Sequence, residues 1–435
     1  VTPAKREGLT IAIAGLGTVG SGTVRLIEEQ ARLIEARTGR ALVIKAVSAR
    51  DRGRDRGIDL SQYEWWDDPV AMGEEAPVDV VVELIGGADG PARKTTLAAL
   101  ESGKHVVTAN KAMLAVHGAE LAPIAEKAGL ALSFEAAVAG GIPIIKSLRE
   151  GLAANKITRV AGILNGTCNY ILTTMRETGR AFDDVLGEAQ RLGYAEADPS
   201  TDIDGIDAAH KLAILASVAF GTAPDFAHVH IAGIRGVAPL DIAYADELGY
   251  RIKLIGLAEM TENGLVQRVQ PCMVPMSSPV AHVEGVFNAV IAEGDAVGQS
   301  FYQGRGAGAG PTASAVVADL MDIARGQILP CFGVPHDRLT RVAAAPIESH
   351  RGAYFIRLLV RDQPGVIADI AAALRDEAVS LESMLQRGRD PHEAVPVVLT
   401  THAADEASMM RAVHRIEAVE AVLEPPHLIR IIQDI

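Results

Sequence analysis

Leu9-Thr10-Ile11-Ala12-Ile13-Ala14 runs directly into Gly15-Leu16-Gly17-Thr18-Val19-Gly20, and helical periodicity follows through Val24, Leu26, Ile27, Ala31 and Ile34. A short strand rich in β-branched residues, a glycine turn and a helix thus stand in the order that a dinucleotide site requires. Gly15 would permit the tight turn, Gly17 would let the backbone approach a pyrophosphate, and Gly20 would let helix and strand pack closely. Leu16, Thr18 and Val19 complete a turn whose helix N-terminus faces the phosphates. Alone, such a pattern is weak evidence. Working outward, residues 41–49 read as a second strand, 78–85 as a third, 105–108 as a fourth and 130–135 as a fifth, with helix-like segments between them. Continuous apolar strands alternating with helices predict a parallel sheet covered on both faces. Where an acidic residue commonly binds a ribose 2′-hydroxyl, at the end of the second strand, stand Ser48, Ala49 and Arg50. A guanidinium there could pair with a 2′-phosphate, which favours NADP over NAD; the other reading of Arg50 is a solvated loop charge beside Asp51 and Arg52.

With 435 residues, the chain has length for about three domains of roughly 150 residues each. Asp and Glu number 55 against 41 Lys and Arg, a net charge of −14. No basic block interrupts that balance, which argues against a nucleic-acid partner. Apolar runs are everywhere broken by charge, Gly or Pro, and none reaches the about 18 residues of a membrane span. Residues 1–8 lead from a short polar stretch into the first strand, unlike a secretory leader. Cys168, Cys272 and Cys331 make neither a disulfide framework nor a metal-ligand pattern. The expectation is a soluble cytoplasmic protein.

Beyond Gly140 the texture changes. Residues 142–152 read as a helix, 157–164 as a strand, and Asn165 to Tyr170 as a polar turn opening another helix. The densest polar cluster spans 193–211 and carries Glu196, Asp198, Asp202, Asp204 and Asp207. Asp202-Ile203-Asp204-Gly205 imitates part of a calcium loop, but the position demanding a bidentate Glu holds Lys211, so that reading fails. Asp207 and Lys211 lie four apart, on one helical face. They form either a plain helix salt bridge or a proton-transfer pair kept in low dielectric by Ile206, Leu212, Ile214 and Leu215. Gly304-Arg305-Gly306-Ala307-Gly308-Ala309-Gly310-Pro311 precedes a helix expected over 313–324 and by itself reads as a flexible linker. Cys168 is the one candidate nucleophile for an acylating aldehyde dehydrogenase. His210, His228 and His230 have no ligand-like spacing. Residues 326–350, with three prolines, read as a linker. After it come a strand (353–361), a helix (365–376), strands (380–387 and 394–402), a helix (405–416) and a last strand (422–432) interrupted by Pro425 and Pro426. This βαββαβ order is ferredoxin-like.

Five segments together resemble homoserine dehydrogenase, from about residue 9 to about residue 325: GLGTVG, TANK at 108–111, FEAAVAGGIPIIKSL at 134–148, ILNGTCNYIL at 163–172 and LGYAEADPSTDIDGIDAAHKLAIL at 192–215. The resemblance implies NAD(P)H-dependent interconversion of aspartate semialdehyde and homoserine, on the route to threonine, methionine and isoleucine. It implies that Lys211 is the catalytic lysine with Asp207 its partner, and that Lys111 is a second lysine near nicotinamide and substrate. Lys211 is then the expected proton donor with Lys111 in electrostatic support, although the two could exchange roles. Thr108, Asn110 and Gly310 fall beside the cofactor, Gly310 because the helix after it returns to the nucleotide domain. Glu196 and Asp202 match acids around the substrate's amino group and hydroxyl end. A monovalent cation, Na+ or K+, is implied at Glu135, Val138, Gly140 and Ile142, largely on backbone carbonyls, with Ala139 standing where some relatives have glycine. The C-terminal module, with Asp362-Gln363-Pro364-Gly365 at its first turn, resembles an ACT domain. That implies feedback inhibition by an amino acid, threonine foremost, near Asp362 and Gly365; the alternative is a dimerisation appendage. A nonenzymatic amino-acid sensor is a third possibility, opposed by the complete set Lys111, Glu196, Asp207 and Lys211. The expected architecture is α/β. A Rossmann-type parallel-sheet domain (1–140, completed by 305–325) is followed by an α+β substrate and dimerisation domain (141–304), a linker (326–350) and a ferredoxin-like domain (351–435), in a homodimer or homotetramer.

Overall fold

The computed structural model describes residues 7–386, 394–433 and 435. Residues 1–6 of the polar lead, and Arg387 at the end of the strand expected over 380–387, lie outside the described residues. The chain begins β1 (Leu9–Ala14), α1 (Thr18–Glu29), α2 (Ala31–Thr38), β2 (Leu42–Ser48), β3 (Glu64–Trp66), α3 (Pro69–Glu75), β4 (Val80–Glu83), α4 (Pro91–Glu101), β5 (His105–Thr108), α5 (Lys111–Lys127) and β6 (Leu132–Ser133). These strands form one parallel sheet in the order β3-β2-β1-β4-β5-β6. The order reverses between β1 and β4, and the crevice past their carboxyl ends is where a doubly wound sheet receives its ligand. Alternate residues of each strand feed two apolar layers. Ile11, Ile13, Val80 and Val82 face Val24 and Ile27 of α1, while Ala12, Val81 and Val106 face Met72, Leu100 and Met113 of the helices opposite.

Two departures from the sequence reading occur here. Glu64–Trp66, passed over in the sequence, adds an edge strand beside β2. The fifth expected strand, 130–135, is reduced to Leu132–Ser133 because the Glu135 N–H donates to Asp319 Oδ2 at 2.8 Å, and Glu135–Ala137 turns as a 3-10 helix.

Next come α6 (Ile144–Lys146), a π-helical turn over Ser147–Gly151, β7 (Ile157–Ile163), α7 (Gly166–Thr178), α8 (Phe182–Arg191), α9 (Ser200–Ile203), α10 (Ile206–Phe220), β8 (His230–Ile231), α11 (Pro239–Glu247), β9 (Tyr250–Thr261), β10 (Gly264–Pro275), β11 (Phe287–Gly294), β12 (Gly298–Arg305) and α12 (Ala309–Arg325). The helix expected over 142–152 is thus split into a short α segment and a π turn. Helix α12 starts at Ala309, earlier than 313, and takes Gly310 and Pro311 into its first turn, where a missing N–H costs nothing. It returns to the first sheet against α1, where a Cβ on Gly22 would stand 2.9 Å from the Ala309 carbonyl oxygen. Helix α10 is buried nearly all round, from Asp207 to Val218, between α5 and the strands of a second sheet. Gly205 and Gly221, both at positive φ, bound it.

The C-terminal elements are β13 (Arg351–Arg361), α13 (Val366–Asp376), β14 (Leu381–Gln386), β15 (Ala394–Thr401), β16 (Ala404–Asp405), α14 (Glu406–Glu417) and β17 (His427–Ile431), the expected βαββαβ order with a short extra strand. The last strand begins only after Pro425 and Pro426, which lack the N–H a ladder needs. This module's sheet does not stand apart. β17 pairs parallel with β10, Cys272 opposite Arg430 and Met273 opposite Ile431, so one sheet runs β12-β11-β7-β9-β10-β17-β13-β15-β14. The connecting residues 326–350 are irregular but strapped down. Thr340 exchanges backbone bonds with Gly221 and Ala223, the Leu265 N–H donates to Ala343 O at 2.9 Å, and Phe332 is buried against Phe134.

Candidate active site

At the first turn Gly15 has φ +103°, and a Cβ there would lie 2.5 Å from the Leu84 carbonyl oxygen. A Cβ on Gly20 would lie 2.0 Å from the Gly15 carbonyl oxygen, so α1 can start this close to β1 only with glycine at both positions. Gly17, the N-cap of α1, has open space where its Cβ would be, and no side chain caps the helix. Exposed backbone N–H groups at a helix start suit a pyrophosphate. Leu16 is buried beneath the turn, while Thr18 and Val19 open the helix. Gly310 lies in the first turn of α12, with open space at its Cβ position.

Arg50 follows β2 and is exposed. Beside it Arg52 and Arg56 lie over the Trp65 ring, 5.7 and 5.9 Å from its centroid. Arg56 also donates to the Leu16 carbonyl oxygen at 3.1 Å, tying this basic loop to the glycine turn.

The carboxyl end of β4 carries a residue that sequence reasoning missed. Glu83 is fully buried, and its Oε1 accepts the N–H groups of Ile85 at 2.7 Å and Gly86 at 3.2 Å. Its Oε2 accepts the Thr108 hydroxyl at 2.6 Å. Thr108 Oγ1 in turn accepts the Asn110 N–H, and Asn110 Oδ1 caps α5 through the Met113 N–H. Lys111 is the first residue of that helix. The available signal was an acid closing the otherwise apolar strand Val80–Glu83.

Lys111 and Lys211 meet on one carboxylate. Lys211 Nζ stands 2.7 Å from Asp207 Oδ2 and donates to the Leu164 carbonyl oxygen at 2.7 Å, while Lys111 Nζ lies 3.0 Å from Asp207 Oδ1. Burial opposes a charge on Asp207, but the two ammonium groups and the donors of Lys211 and Asn165 overcome it and hold this carboxyl well below the usual range. Asp207 foremost, with Asp202 and Glu196 further off, raises the Lys111 pKa against its burial. Asp202 accepts Asn165 Nδ2 at 2.8 Å and the Thr167 hydroxyl at 3.2 Å; burial and the nearby Asp207 push its pKa up. Glu196 is exposed at the rim. The five residues singled out, Lys111, Glu196, Asp202, Asp207 and Lys211, therefore share one electrostatic neighbourhood. Lys111 comes from the first sheet's helices and the other four from the middle of the chain.

Cys168 lies beneath this cluster with its Sγ 3.2 Å from the Asp202 carbonyl oxygen. Burial and the adjacent acids raise its pKa far up, which keeps it from acting as a thiolate. His210 stacks on Phe226, His228 pairs with Asp225, and among the described residues no group of three or more His, Cys, Asp or Glu could hold a metal ion.

In the turn after β6, Glu135 accepts the N–H groups of Ile145 and Lys146 on its two side-chain oxygens. Burial first, then Asp319, raises its pKa to about 7. Val138, Gly140 and Ile142 are buried, Ala139 has φ +51°, and a Cβ on Gly140 would lie 3.0 Å from the Gly306 carbonyl oxygen. With the Glu135 side chain occupied, the oxygens this loop offers a cation are those of its main chain. At the far end of the chain, Gly365, at φ +100°, is the N-cap of α13, and Asp362 accepts Gln386 Nε2 at 3.3 Å.

Three family models match the chain: homoserine dehydrogenase over residues 143–321, the homoserine dehydrogenase NAD-binding domain over 15–135, and the ACT domain over 354–418. Homoserine dehydrogenase of Pseudomonas aeruginosa is 47% identical over 432 residues, covering 97% of this chain and 98% of that protein. The crystal structure of a homoserine dehydrogenase from Thiobacillus denitrificans matches with a TM-score of 0.93 at 44% identity, covering 98% of this chain and 99% of that one. A hyperthermophilic archaeal homoserine dehydrogenase mutant in complex with NADPH matches at a TM-score of 0.63 and 30% identity, over 73% of this chain and 97% of its own.

Proposed function

This chain belongs to the homoserine dehydrogenase family of oxidoreductases, and from that premise we propose that it interconverts L-aspartate 4-semialdehyde and L-homoserine at the Lys111–Asp207–Lys211 cluster. The observation that carries the reading is the convergence of two ammonium groups from different parts of the chain on one buried carboxylate, with Asp202 alongside. A bound reduced nicotinamide supplies the hydride that the aldehyde carbon accepts. Negative charge then gathers on the aldehyde oxygen. Lys211 Nζ has two of its three hydrogens directed at Asp207 and Leu164 O, which leaves one to donate to that oxygen as it becomes a hydroxyl. Lys111, whose side chain is 39% exposed, adds positive charge from the nucleotide side. In the oxidative direction Lys211 takes the hydroxyl proton back. Asp202 and Glu196 receive the substrate's ammonium group.

Glycines 15, 17, 20 and 310, with Thr108 and Asn110, form the nucleotide side of the site in this reading. Arg50, in its arginine-rich loop, favours NADP over NAD, in keeping with the NADPH-bound archaeal relative. Glu135, Val138, Gly140 and Ile142 hold a Na+ or K+ ion on main-chain oxygens, which orders the passage from the nucleotide unit (1–140 with 305–325) to the substrate and dimerisation unit (141–304). Residues 326–350 strap across both, and residues 351–435 act as the regulatory unit. They take an amino acid, threonine foremost, at Asp362 and the helix start after Gly365, which gives feedback control of threonine, methionine and isoleucine synthesis. Buried free cysteines suit a reducing cytoplasm. Exposed Phe287 of β11, Val297 in the turn after it and Phe301 of the edge strand β12 suit assembly as a homodimer or homotetramer.

One assay tests this: homoserine oxidation with NADP and with NAD, with and without threonine, in the parent enzyme and Lys211→Ala. Turnover should be faster with NADP, fall with threonine, and drop by about 100-fold or more in Lys211→Ala with nucleotide affinity nearly intact. A variant keeping most of its turnover refutes the role given to Lys211.

A further inference from the structure

Asn165 opens α7 and is 3% exposed. Its side-chain oxygen accepts the Cys168 N–H at 2.8 Å, the ordinary work of a helix N-cap. Its amide nitrogen donates to Asp202 Oδ1 at 2.8 Å and to Asp207 Oδ2 at 2.8 Å. The amide can face only this way. Turned over, it would aim an oxygen at two carboxylates and an NH2 group at a backbone N–H. A cap needs the oxygen alone, and Ser or Asp would supply one. The two donors are therefore surplus to the helix, and both are spent on acids of the site. The residue before it makes the matching contact with the lysine, since the Leu164 carbonyl oxygen accepts Lys211 Nζ. One turn thus grips Lys211 through its main chain and Asp207 through its side chain, and leaves Asp207 Oδ1 for Lys111.

We propose that Asn165 is a positioning residue for the reaction: its amide nitrogen bridges Asp202 and Asp207, holding the acid that takes the substrate's ammonium group at a fixed distance from the acid that orients Lys211. The bridge keeps the buried Asp207 and the half-buried Asp202 ionised together, because a donor shared between them favours the charged form of each. Without it the two acids drift apart or share a proton. Either change moves Lys211 away from the substrate oxygen and weakens the hold on the amino group. The proposal rests on the reading of this cluster as the reaction centre.

The test compares Asn165→Ser and Asn165→Asp with the parent in the full chain. Both substitutions keep an N-capping oxygen, so the thermal midpoint should move by no more than about 4 °C. Asn165→Ser should lower kcat for homoserine oxidation about 10- to 100-fold, the size of lost hydrogen bonds to a charged partner, and raise KM for homoserine while leaving KM for the nucleotide unchanged. Its acid limb should shift to higher pH, because Asp202 and Asp207 lose a donor that favours their charged forms. Asn165→Asp, which adds a third carboxylate, should lose more. Asn165→Ser with kcat and homoserine KM within about twofold of the parent overturns the proposal. So does a loss of activity that follows a lowered thermal midpoint with the pH profile unmoved, since that assigns Asn165 the cap alone. An active Lys211→Ala would instead bring down the reading of the centre, and this proposal with it; an inactive Lys211→Ala beside a normal Asn165→Ser defeats this proposal only.

Discussion

Asp207 gives one carboxylate oxygen to Lys111 and the other to Lys211, so a single buried charge fastens α5 to α10 across the boundary between the two sheets. A carboxylate this deep persists only because cations and an amide donor surround it. The i, i+4 spacing of Asp207 and Lys211 was visible in the sequence, as was the apolar setting, supplied by the buried Leu212, Ile214 and Leu215 but not by Ile206, which is exposed. That Lys111, nearly a hundred positions earlier, closes on the same acid was carried by family resemblance alone, since no local pattern reports a contact between distant helices. Arg50 illustrates the opposite case, a surface residue whose proposed role rests on its position just after β2. Arg50→Ala should reduce NADP affinity about tenfold relative to NAD, the effect of losing one guanidinium–phosphate pair. The ratio of the two dissociation constants, measured by fluorescence titration, checks it. An unchanged ratio removes Arg50 from cofactor selection and leaves Arg52, over the Trp65 ring, as the arginine to vary next.

Strand β4 and helix α5 are joined by Glu83, Thr108 and Asn110 rather than by apolar packing alone. Removing the Glu83 carboxylate strands the Thr108 hydroxyl and the N–H groups of Ile85 and Gly86, at about 1–3 kcal/mol for each group left unpaired. Glu83→Ala should therefore lower the thermal midpoint and raise the nucleotide dissociation constant about tenfold, because Leu84 and Ile85 brace the Gly15 turn. Calorimetric titration with NADP decides; unaltered affinity with a lowered midpoint would limit Glu83 to the fold. Elements with strong period or strong caps were legible. Four of the six parallel strands, β1, β2, β4 and β5, emerged within a residue or two, α5 and α7 begin at asparagine caps, and the C-terminal βαββαβ order stood in the sequence. The misses share one physical origin, distant side chains overruling local pattern. Asp319, from α12, draws the Glu135 N–H out of the strand expected there, and Glu135 itself caps the split helix that follows. The edge strand Glu64–Trp66 owes its existence to pairing with β2, which no three-residue window can announce.

At the scale of the whole molecule, the C-terminal module meets the catalytic body through polar contacts as well as strand pairing. Arg430 of β17 donates to Glu406 at 2.9 Å and to Gln270 of β10 at 2.5 Å, and Tyr354 donates to Glu406 at 2.8 Å. His350, at the entry to β13, lies near this network. Burial first, then Arg268 and Arg430, lowers its pKa from 6.5 to about 4. A histidine depressed on folding contributes stability that is complete above the unfolded value and is lost as pH falls toward the folded one. The joint should therefore weaken between about pH 6.5 and 4, and His350→Asn should flatten that dependence; thermal midpoints across this range, compared between the two proteins, measure it. Equal slopes would show that His350 does not govern the joint. No linker reading of residues 326–350 foretold the shared sheet, for parallel pairing of β17 with β10 brings together strands some 150 positions apart. The shared ladder also bears on how such modules can be exchanged. Transplanted to a foreign enzyme on a tether alone, this one would arrive with a raw strand flank and the recipient would gain a passenger; to engage it, the new host must offer a receptive strand of its own.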